Sequence, residues 1–268
     1  MPNKVILITG ASAGLGNALA TYLSGKGFTV YGVSRNIQRE GHNFHALKMD
    51  VSDEASIRQA VDTIIREQGR IDVLINNAGL GFAGPVEYLS VADLARVLDT
   101  NVLGVLRLVQ AVLPQMRQQR SGKIINISSI ASENGLPYRA GYSASKAALD
   151  RLTEALRTEL VPFGVQACYV QPGGIVTDIN ANRVLATLPA GSPYQDSWEK
   201  CMTVVNNSVS KGLPTSRFGP AIEKIILSPV LKRCYRIGKP LEKLSVLLKK
   251  ILPARTYENM VRNHFNMN

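Results

Sequence analysis

The 268-residue chain has few of the features that mark disulfide-rich, metal-binding or membrane-spanning proteins. Its three cysteines, Cys168, Cys201 and Cys234, lie far apart and match no disulfide or metal-binding spacing, so we expect reduced thiols in a cytoplasmic protein. No uninterrupted apolar run approaches the ~18 residues of a membrane span. The apolar start at Lys4–Thr9 is too short for a signal peptide and lacks a cleavage site, so we predict a first strand there.

Acidic side chains are also few, because 20 Asp and Glu stand against 31 Lys and Arg, for a net charge of +11. Residues 217–268 hold eleven Lys and Arg against three Glu, so +8 of this charge lies in the last fifth of the chain. Such asymmetry is compatible with nucleic acid, an anionic membrane surface, an acidic ligand or a solvated basic face. No nucleic-acid-binding motif accompanies it, and we expect no nucleic-acid partner. His42 and His45 have no metal-ligand partners, so we predict surface residues and no metal site.

Short apolar runs alternate with helical patterns along most of the chain. The predicted strands are Lys4–Thr9, Phe28–Val33, Phe44–Val51, Ile71–Ile75, Lys123–Ile127 and Val165–Val170. The longest predicted helix covers Ser90–Gln119, and another covers residues 142–161. Strands that alternate with helices form a parallel sheet covered on both faces. The sequence therefore predicts an α/β fold with a doubly wound parallel sheet (Rossmann-like), in a single domain of residues 1–268.

A glycine-rich turn joins the first strand to the first helix. Gly10, Gly14 and Gly16 have the spacing Gly-x3-Gly-x-Gly, with Ser12 and Leu15 between them. Glycines let the backbone approach phosphates, and a helix N-terminus presents free N–H groups to them. The turn predicts a dinucleotide-binding site, with an ordinary turn that binds nothing as the alternative.

The residues after the second strand bear on which dinucleotide binds. This position usually contacts the adenosine ribose, and here Ser34-Arg35-Asn36 contains no acid. An acid would accept a hydrogen bond from a free 2′-hydroxyl, whereas an arginine suits a 2′-phosphate. We therefore predict that NADP(H) is preferred over NAD(H) through Arg35, with an idle surface arginine as the alternative. Arg39 is a second candidate for the same phosphate.

Tyr142 and Lys146 are the central candidates for catalysis. Positions four apart share a helix face, so the phenol and the ammonium lie together. A nearby cation stabilises a phenolate, which suits Tyr142 to general acid/base chemistry. The same spacing also occurs at Tyr22/Lys26 and Tyr235/Lys239. Only Tyr142 has a strand-terminal serine, Ser129, thirteen residues upstream, where its hydroxyl could bind a substrate oxygen. The alternative is a surface tyrosine beside a solvated lysine.

Two further polar sites accompany these motifs. The fourth strand ends in Asn76-Asn77-Ala78-Gly79, which suits a turn beside the cofactor crevice or any other tight turn. Asn101 lies among apolar neighbours inside the long predicted helix and must find hydrogen-bond partners. It is either a satisfied core amide or an amide that bridges a water to Lys146.

The pattern changes after Thr177. Residues 178–215 are predicted to be irregular, and their large apolar side chains favour a lid over an apolar pocket rather than a mobile loop. These side chains are Ile179, Val184, Leu185, Leu188, Tyr194, Trp198 and Met202.

A last strand is predicted at Arg233–Gly238, followed by a helix with an apolar stripe and several lysines. The stripe consists of Leu241, Leu244, Leu248, Ile251 and Leu252. We expect it to pack in the core, with contacts to the lid, another subunit or a membrane surface as alternatives.

Together these motifs resemble the short-chain dehydrogenase/reductase family over roughly Val5 to Thr177. The resemblance implies an active enzyme in which Tyr142 donates or accepts the proton, Ser129 binds the substrate oxygen, and Lys146 assists Tyr142 and binds the nicotinamide ribose. Asn101 completes the catalytic set. The cofactor contacts implied by the resemblance and by the motifs are Gly10, Ser12, Gly14, Leu15, Gly16, Arg35, Asp50, Val51, Asn77, Ala78, Gly79, Tyr142, Lys146, Pro172, Gly173, Ile175 and Thr177.

The basic, leucine-rich C-terminus resembles the hydroxysteroid and retinol dehydrogenase branch more than the acyl-carrier-protein reductases. By resemblance the substrate is a lipophilic ketone, aldehyde or secondary alcohol, and the protein is a homodimer or homotetramer. Residues 1–177 would then hold the cofactor, and residues 178–268 would form the substrate lid and a basic tail. The tail could contact a membrane peripherally. Two other functions stay open: a 3-oxoacyl-carrier-protein reductase with an acidic partner on the tail, and a non-catalytic dinucleotide sensor.

Overall fold

Strand β1 (Val5–Thr9) is buried at every position, as expected for a central strand of a parallel sheet with helices on both faces. The computed structural model describes residues 4–38, 40–177 and 183–267. The other strands are β2 (Thr29–Ser34), β3 (His45–Lys48), β4 (Val73–Asn76), β5 (Phe82–Ala83), β6 (Gly122–Ile127), β7 (Val165–Pro172), β8 (Val184–Leu185) and β9 (Cys234–Ile237). Seven strands form one parallel sheet in the order β3-β2-β1-β4-β6-β7-β9, and β5 pairs with β8.

Helices cover both faces of this sheet. They are α1 (Gly14–Gly25), α2 (Glu54–Gln68), α3 (Val91–Leu98), α4 (Gly104–Gln118), α5 (Ala140–Glu159), α6 (Gln195–Ser210), α7 (Phe218–Leu227), α8 (Pro240–Ile251) and α9 (Ala254–His264). Side chains alternate between the two faces along a strand. In β1, Leu7 packs with α2, α4 and α5, whereas Ile8 packs with α1 and α7. The predicted doubly wound parallel fold in a single domain is confirmed.

A crevice opens at the carboxyl edge of the sheet, between β1 and β4. Strand order reverses here, because the chain proceeds from β1 toward β2 on one side and from β4 toward β6 on the other. Ligands of open α/β sheets bind at such a reversal. Ile8 lies opposite Ile75 in the register, which brings Gly10 next to Asn77 and Ala78 just beyond the strand ends.

The helix predicted over Ser90–Gln119 is present and contains one irregular turn. A π-helical turn, Asp99–Leu103, joins α3 to α4 and carries the fully buried Asn101. Among the described helices, the continuous stretch Val91–Gln118 is long and apolar enough to cross a membrane. Its Leu108 and Val112 nevertheless pack in the core against the sheet, and the core helix of a globular fold has the same composition.

The prediction that residues 178–215 are irregular is wrong for their second half, because Gln195–Ser210 forms α6. Trp198, Cys201 and Val205 recur at helical spacing and pack against Tyr138 and Phe265. This contact stabilises a helix whose pattern is weak in the sequence. Ile179 lies outside the described residues, so its place in a lid stays a prediction. Helix α7 was not predicted.

The expectation that the stripe of α8 packs in the core is wrong for most of its members. Of the stripe, Leu241, Leu244 and Ile251 are between 44% and 69% exposed, whereas Leu248 and Leu252 are half-buried. Leu247, next to the stripe, is 53% exposed, and Val246 is the buried side chain of this helix. Polar contacts orient α8: Glu242 Oε1 accepts from Gly174 N at 2.8 Å, and Lys249 Nζ donates to Glu133 O. The leucine face therefore points away from the core.

Candidate active site

Tyr142 and Lys146 lie in the first two turns of α5, next to the end of β6. Both are buried, at 6% and 4% exposure, and Lys146 Nζ is 6.0 Å from the centroid of the Tyr142 ring. Lys146 Nζ donates to Ile127 O at 2.8 Å, which ties the helix to the last residue of β6. Burial lowers the pKa of Lys146, against opposite effects from Tyr142 and Asp150. The predicted pair is therefore held in one fixed arrangement.

The Tyr142 ring contacts both apolar side chains and the cations of Arg139 and Lys146. It packs in a cluster with Phe82, Val97, Ala131 and Ala186. Within the described part of the chain its hydroxyl makes no hydrogen bond, so both its proton and its lone pairs are available to a substrate oxygen.

Ser129 follows β6 and begins a short 3-10 turn, Ile130–Ser132. Its Oγ accepts from Ala131 N at 3.1 Å, which leaves the hydroxyl proton for another acceptor. Ser132 Oγ donates to Ser129 O at 2.7 Å and accepts from Gln171 Nε2 at 3.0 Å. These bonds fix the turn against β7.

Asn101 is a satisfied buried amide. Its Nδ2 donates to Leu80 O and Ser145 Oγ, both at 2.9 Å, and its Oδ1 accepts from Leu80 N at 2.7 Å. A Cβ built on Gly79 would lie 3.3 Å from Asn101 Oδ1 and 3.4 Å from Lys146 Nζ, so both atoms face the same spot. The structure supports the core-amide alternative, and Oδ1 keeps a second lone pair on the side of Lys146.

The two other Tyr/Lys pairs lie in different surroundings. Tyr22 donates its hydroxyl proton to Glu223 at 2.7 Å, and this hydrogen bond raises the pKa of Tyr22. Tyr235 accepts from Lys232 N at 2.9 Å. Neither belongs to the cluster around Ser129 and Asn101, so these pairs serve as natural controls.

The glycines of the turn after β1 have no side chains that would keep the protein backbone away from a ligand. Gly10 has a φ of +69°, and a Cβ on Gly16 would lie 2.2 Å from Gly10 O. The residue before α1 is Ala13, whose side chain cannot cap the helix, so the first N–H groups remain for an anion. Thr9 Oγ1 accepts from Asn77 N and Ala78 N, both at 2.9 Å. These features fit a dinucleotide pyrophosphate.

At the adenosine end, Arg35 is exposed immediately beyond β2, where Ser12 Oγ and Ser34 Oγ are 3.0 Å apart. Asp50 and Val51 follow β3. Burial opposes the charge of Asp50, but hydrogen bonds from Ser52 and the charges of Arg35 and Arg107 outweigh it and lower the pKa of Asp50. An ionised Asp50 near Arg35 defines this end of the crevice. Arg39 lies outside the described residues.

At the other end, the residues after β7 complete the crevice. A Cβ on Gly14 would lie 3.6 Å from the Thr177 side chain, so the glycine turn and this segment face each other. Pro172 ends β7, and Ile175 bridges to Leu213. Gly173 packs so closely on Glu242 that a Cβ would come within 2.0 Å of Glu242 Oε2. These contacts place Thr177 beside the glycine turn and Gly173 beside α8.

Sequence reasoning missed three residues of this region. Ser145 donates to Tyr142 O at 2.8 Å and accepts from Asn101. Glu242 fastens α8 to the loop after β7. Arg139 places its guanidinium carbon 4.8 Å from the centroid of the Tyr142 ring. Ser145 and Arg139 stand within one helical turn of Tyr142, and that spacing was the available signal.

Comparison with known proteins shows the family to which the chain belongs. A family model described as short chain dehydrogenase matches residues 4–187. The chain is 39% identical to 3-ketodihydrosphingosine reductase of Bacteroides thetaiotaomicron, over 98% of both proteins. It is 34% identical to an NADPH-dependent 1-acyldihydroxyacetone phosphate reductase of Schizosaccharomyces pombe, over 88% of this chain and 82% of that one. Human 17-beta-hydroxysteroid dehydrogenase type 1 is 38% identical over 66% of this chain and 58% of its own.

Solved structures give the same result. A short-chain dehydrogenase from Streptomyces avermitilis has a TM-score of 0.79 at 28% identity and covers 97% of this chain and 98% of its own. A short-chain dehydrogenase/reductase from Burkholderia phymatum in complex with NAD also has a TM-score of 0.79, at 25% identity, with 92% and 93% coverage. The expected resemblance to the hydroxysteroid branch is confirmed, and the chain belongs to the short-chain dehydrogenase/reductase family.

Proposed function

We propose that this oxidoreductase interconverts a lipophilic ketone or aldehyde and its alcohol with NADP(H), using Tyr142 as the acid/base. One observation carries the proposal: Tyr142 is buried with Lys146 Nζ 6.0 Å from its ring centroid, and its hydroxyl makes no hydrogen bond to any residue that the structure describes. Asn101 and Ser129 complete the proposed catalytic set. A non-catalytic sensor would not need this intact arrangement.

The roles follow from the donors that remain available. In reduction, Tyr142 donates its proton to the carbonyl oxygen while the Ser129 hydroxyl donates a hydrogen bond to the same oxygen. Lys146 has three N–H donors and uses one on Ile127 O, which leaves two for the cofactor ribose and for stabilising the phenolate. When bound, the reduced nicotinamide supplies the hydride that the carbonyl carbon accepts. Proton and hydride together convert the carbonyl to an alcohol, and oxidation reverses both transfers.

The preference for NADP(H) rests on Arg35. Its guanidinium is exposed at the end of β2, and residues 34–36 contain no carboxylate that would repel a 2′-phosphate. The Schizosaccharomyces pombe relative is named as NADPH-dependent, whereas the Burkholderia phymatum structure contains NAD. Because proteins of this family use either cofactor, the fold does not favour NADP(H) over NAD(H), and the support for NADP(H) comes from the charge of Arg35.

The lipophilic substrate class rests on the surfaces around Tyr142. The cluster that surrounds its ring also includes the partly buried Leu80, Leu136 and Val184. Helix α6 covers the loop before α5, where Tyr138 Oη and Ser197 Oγ lie 2.6 Å apart. Relatives are named for a ketosphingoid, a steroid and an acylated substrate, which agrees with a long apolar molecule.

Initial rates of NADPH and NADH oxidation with a panel of free lipophilic ketones and aldehydes test this function. Tyr142→Phe should lower kcat by ~10²–10⁴, the range of a lost acid/base group, with cofactor binding retained. Tyr22→Phe is the matched control and should retain kcat, because that hydroxyl bonds to Glu223 outside the crevice. Turnover retained in Tyr142→Phe, or no oxidoreduction across the panel with either cofactor, would contradict the proposal.

A further inference from the structure

Tyr142 has two cations over its ring, and the roles assigned above use only that of Lys146. The guanidinium carbon of Arg139 lies 4.8 Å from the ring centroid, closer than Lys146 Nζ at 6.0 Å. Arg139 immediately precedes α5, so it lies about one helical turn before Tyr142. A guanidinium keeps its charge throughout the pH range in which proteins work. A permanent positive charge with no role so far therefore lies against the proposed proton donor.

The backbone just before Arg139 is strained. Tyr138 has a φ of +57°, in the left-handed region that a bulky residue rarely adopts. Its carbonyl oxygen accepts from Gly84 N at 2.8 Å. From α6, Ser197 Oγ lies 2.6 Å from Tyr138 Oη, and the ring of Trp198 lies 5.5 Å from the Tyr138 ring. Such strain persists only where surrounding contacts enforce it, and these positions cluster at functional sites. The turn after β5 and helix α6 thus hold the residue next to the guanidinium.

The titratable groups around Arg139 come from α5, α6 and the segment before β8. Burial lowers the pKa of Arg139, and the charges of Tyr142 and Cys201 oppose that effect. Burial also raises the pKa of the Cys201 thiol to about 11, so the thiol is neutral at neutral pH. Burial and then the charge of Arg139 lower the pKa of Arg183 to about 10, and Arg183 Nη2 donates to Asn206 Oδ1 at 3.2 Å. Of these groups, Tyr142 is the one that gains a negative charge in the proposed reaction.

That change of charge is what a nearby cation can influence. In reduction the O–H bond of Tyr142 breaks, its proton goes to the carbonyl oxygen, and the electron pair stays on the phenolate oxygen. A cation over a neutral aromatic ring is attracted to the electron-rich face. Its attraction to a phenolate is stronger, because the ring system then carries a full negative charge that a buried site screens weakly. A cation held 4.8 Å from the ring thus favours the ionised state over the neutral one.

We propose that Arg139 is a positioning residue that stabilises the phenolate of Tyr142 as a second cation beside Lys146. This inference rests on the function proposed above, in which Tyr142 is the acid/base. Lys146 uses one of its donors on Ile127 O, and Arg139 adds positive charge from the residue before the helix. The consequence is a wider working range, because oxidation needs the phenolate and Arg139 makes that state available at lower pH.

The first experiment measures kcat/KM for alcohol oxidation against pH with saturating NADP+, in the wild type, Arg139→Gln and Arg139→Lys. Because oxidation needs the phenolate, the rate should rise with pH to a plateau. In Arg139→Gln the half-maximal pH should rise by roughly one unit, as expected for the loss of a cation at this distance. Rates well below that pH should then fall about tenfold, whereas the plateau should stay within a few-fold. Arg139→Lys keeps the charge and should shift less.

The shape of this profile distinguishes a charge effect from a structural one. A purely structural role for Arg139 would lower the rate by the same factor at every pH, and that result would overturn the proposal. Arg151→Gln is the matched control, because Arg151 lies on α5, is 67% exposed and pairs with Glu154, so its profile should match the wild type. Arg139→Met keeps an apolar stem without the charge and repeats the test if Arg139→Gln does not fold. An unchanged half-maximal pH in the neutral variant would also contradict the role.

A titration without substrate separates this inference from the proposed function. The ultraviolet absorbance of tyrosinate is followed against pH, and the increment that is missing from the matching Tyr142→Phe protein reports Tyr142 among the nine tyrosines. Its midpoint should lie roughly one pH unit higher in Arg139→Gln than in the protein with Arg139. If no alcohol or carbonyl compound turns over, the proposed function fails while this titration still decides the role of Arg139. Equal midpoints together with normal turnover would overturn this inference alone.

Discussion

Replacing Asn101 by alanine removes an amide that holds the loop after β4 to the π-helical turn. Asn101 is fully buried, and its side chain satisfies the N–H and the C=O of Leu80 at 2.7 and 2.9 Å. A buried backbone group left without a partner costs about 1–3 kcal/mol. Leu80 is half-buried, so water replaces part of what is lost. We therefore expect the free energy of unfolding to fall by about 2–4 kcal/mol for the two groups.

Thermal unfolding measures this loss directly. For a domain of this size each kcal/mol lowers Tm by about 2–4 °C, so Asn101→Ala should melt roughly 4–16 °C below the wild type. Asn101→Asp is the sharper variant, because it keeps the acceptor for Leu80 N but loses both donors, to Leu80 O and Ser145 Oγ. It should be destabilised as well, although its shape is almost unchanged.

The control is Asn207→Ala, since Asn207 is exposed on α6 and should change stability by no more than about 0.5 kcal/mol. Activity at a temperature well below all the melting points separates positioning from unfolding. We expect kcat to fall in both Asn101 variants. The loop that Asn101 holds includes Gly79, which lies next to Lys146 Nζ, so a displaced loop would disturb the surroundings of Lys146. An Asn101→Ala protein that melts with the wild type would refute the claim that this amide holds the loop.

Two further predictions concern the cofactor preference and the exposed face of α8. Arg35→Ala should raise KM for NADPH at least about tenfold, because a charge-assisted hydrogen bond to the 2′-phosphate is worth about 1.5–3 kcal/mol, whereas KM for NADH should change little. Initial rates with both cofactors measure this. An unchanged NADPH/NADH ratio in the variant, or a wild type that prefers NADH, would contradict the prediction. The exposed leucine face of α8, beside Lys243 and Lys250, should bind anionic vesicles in a salt-sensitive manner. Leu247→Ser should weaken co-sedimentation and Val161→Ser, an exposed control elsewhere, should not.

The central sheet was predictable because its signals are local. The residues of β1 and β4 are buried on both faces, so their sequences are apolar up to the last residue, Thr9 in β1 and Asn76 in β4. The glycine turn was predictable for a similar reason, since Gly10 and Gly16 are required where two backbones nearly touch. Such constraints act within a few residues of the chain, and a sequence displays them directly.

The C-terminal part depends on contacts between distant segments. Helix α6 buries Cys201 and Val205 against Tyr138 and Phe265, each some 60 residues away along the chain. The periodicity of α8 predicted a helix but not the partner of each face, which is decided by the anchoring of Glu242 on Gly174.

Helix α6 lies outside the main sheet and packs on Tyr138, in the loop before α5. Ser129, Tyr142 and Lys146 come from one stretch of chain around β6 and α5, whereas α6 meets the loop before α5 through a single face that includes Trp198. Mutations on α6 can therefore accumulate without moving the proton donor. Because the reacting residues and α6 lie in different parts of the chain, a protein with this arrangement can evolve new substrates through changes in its last third while selection preserves the first two thirds.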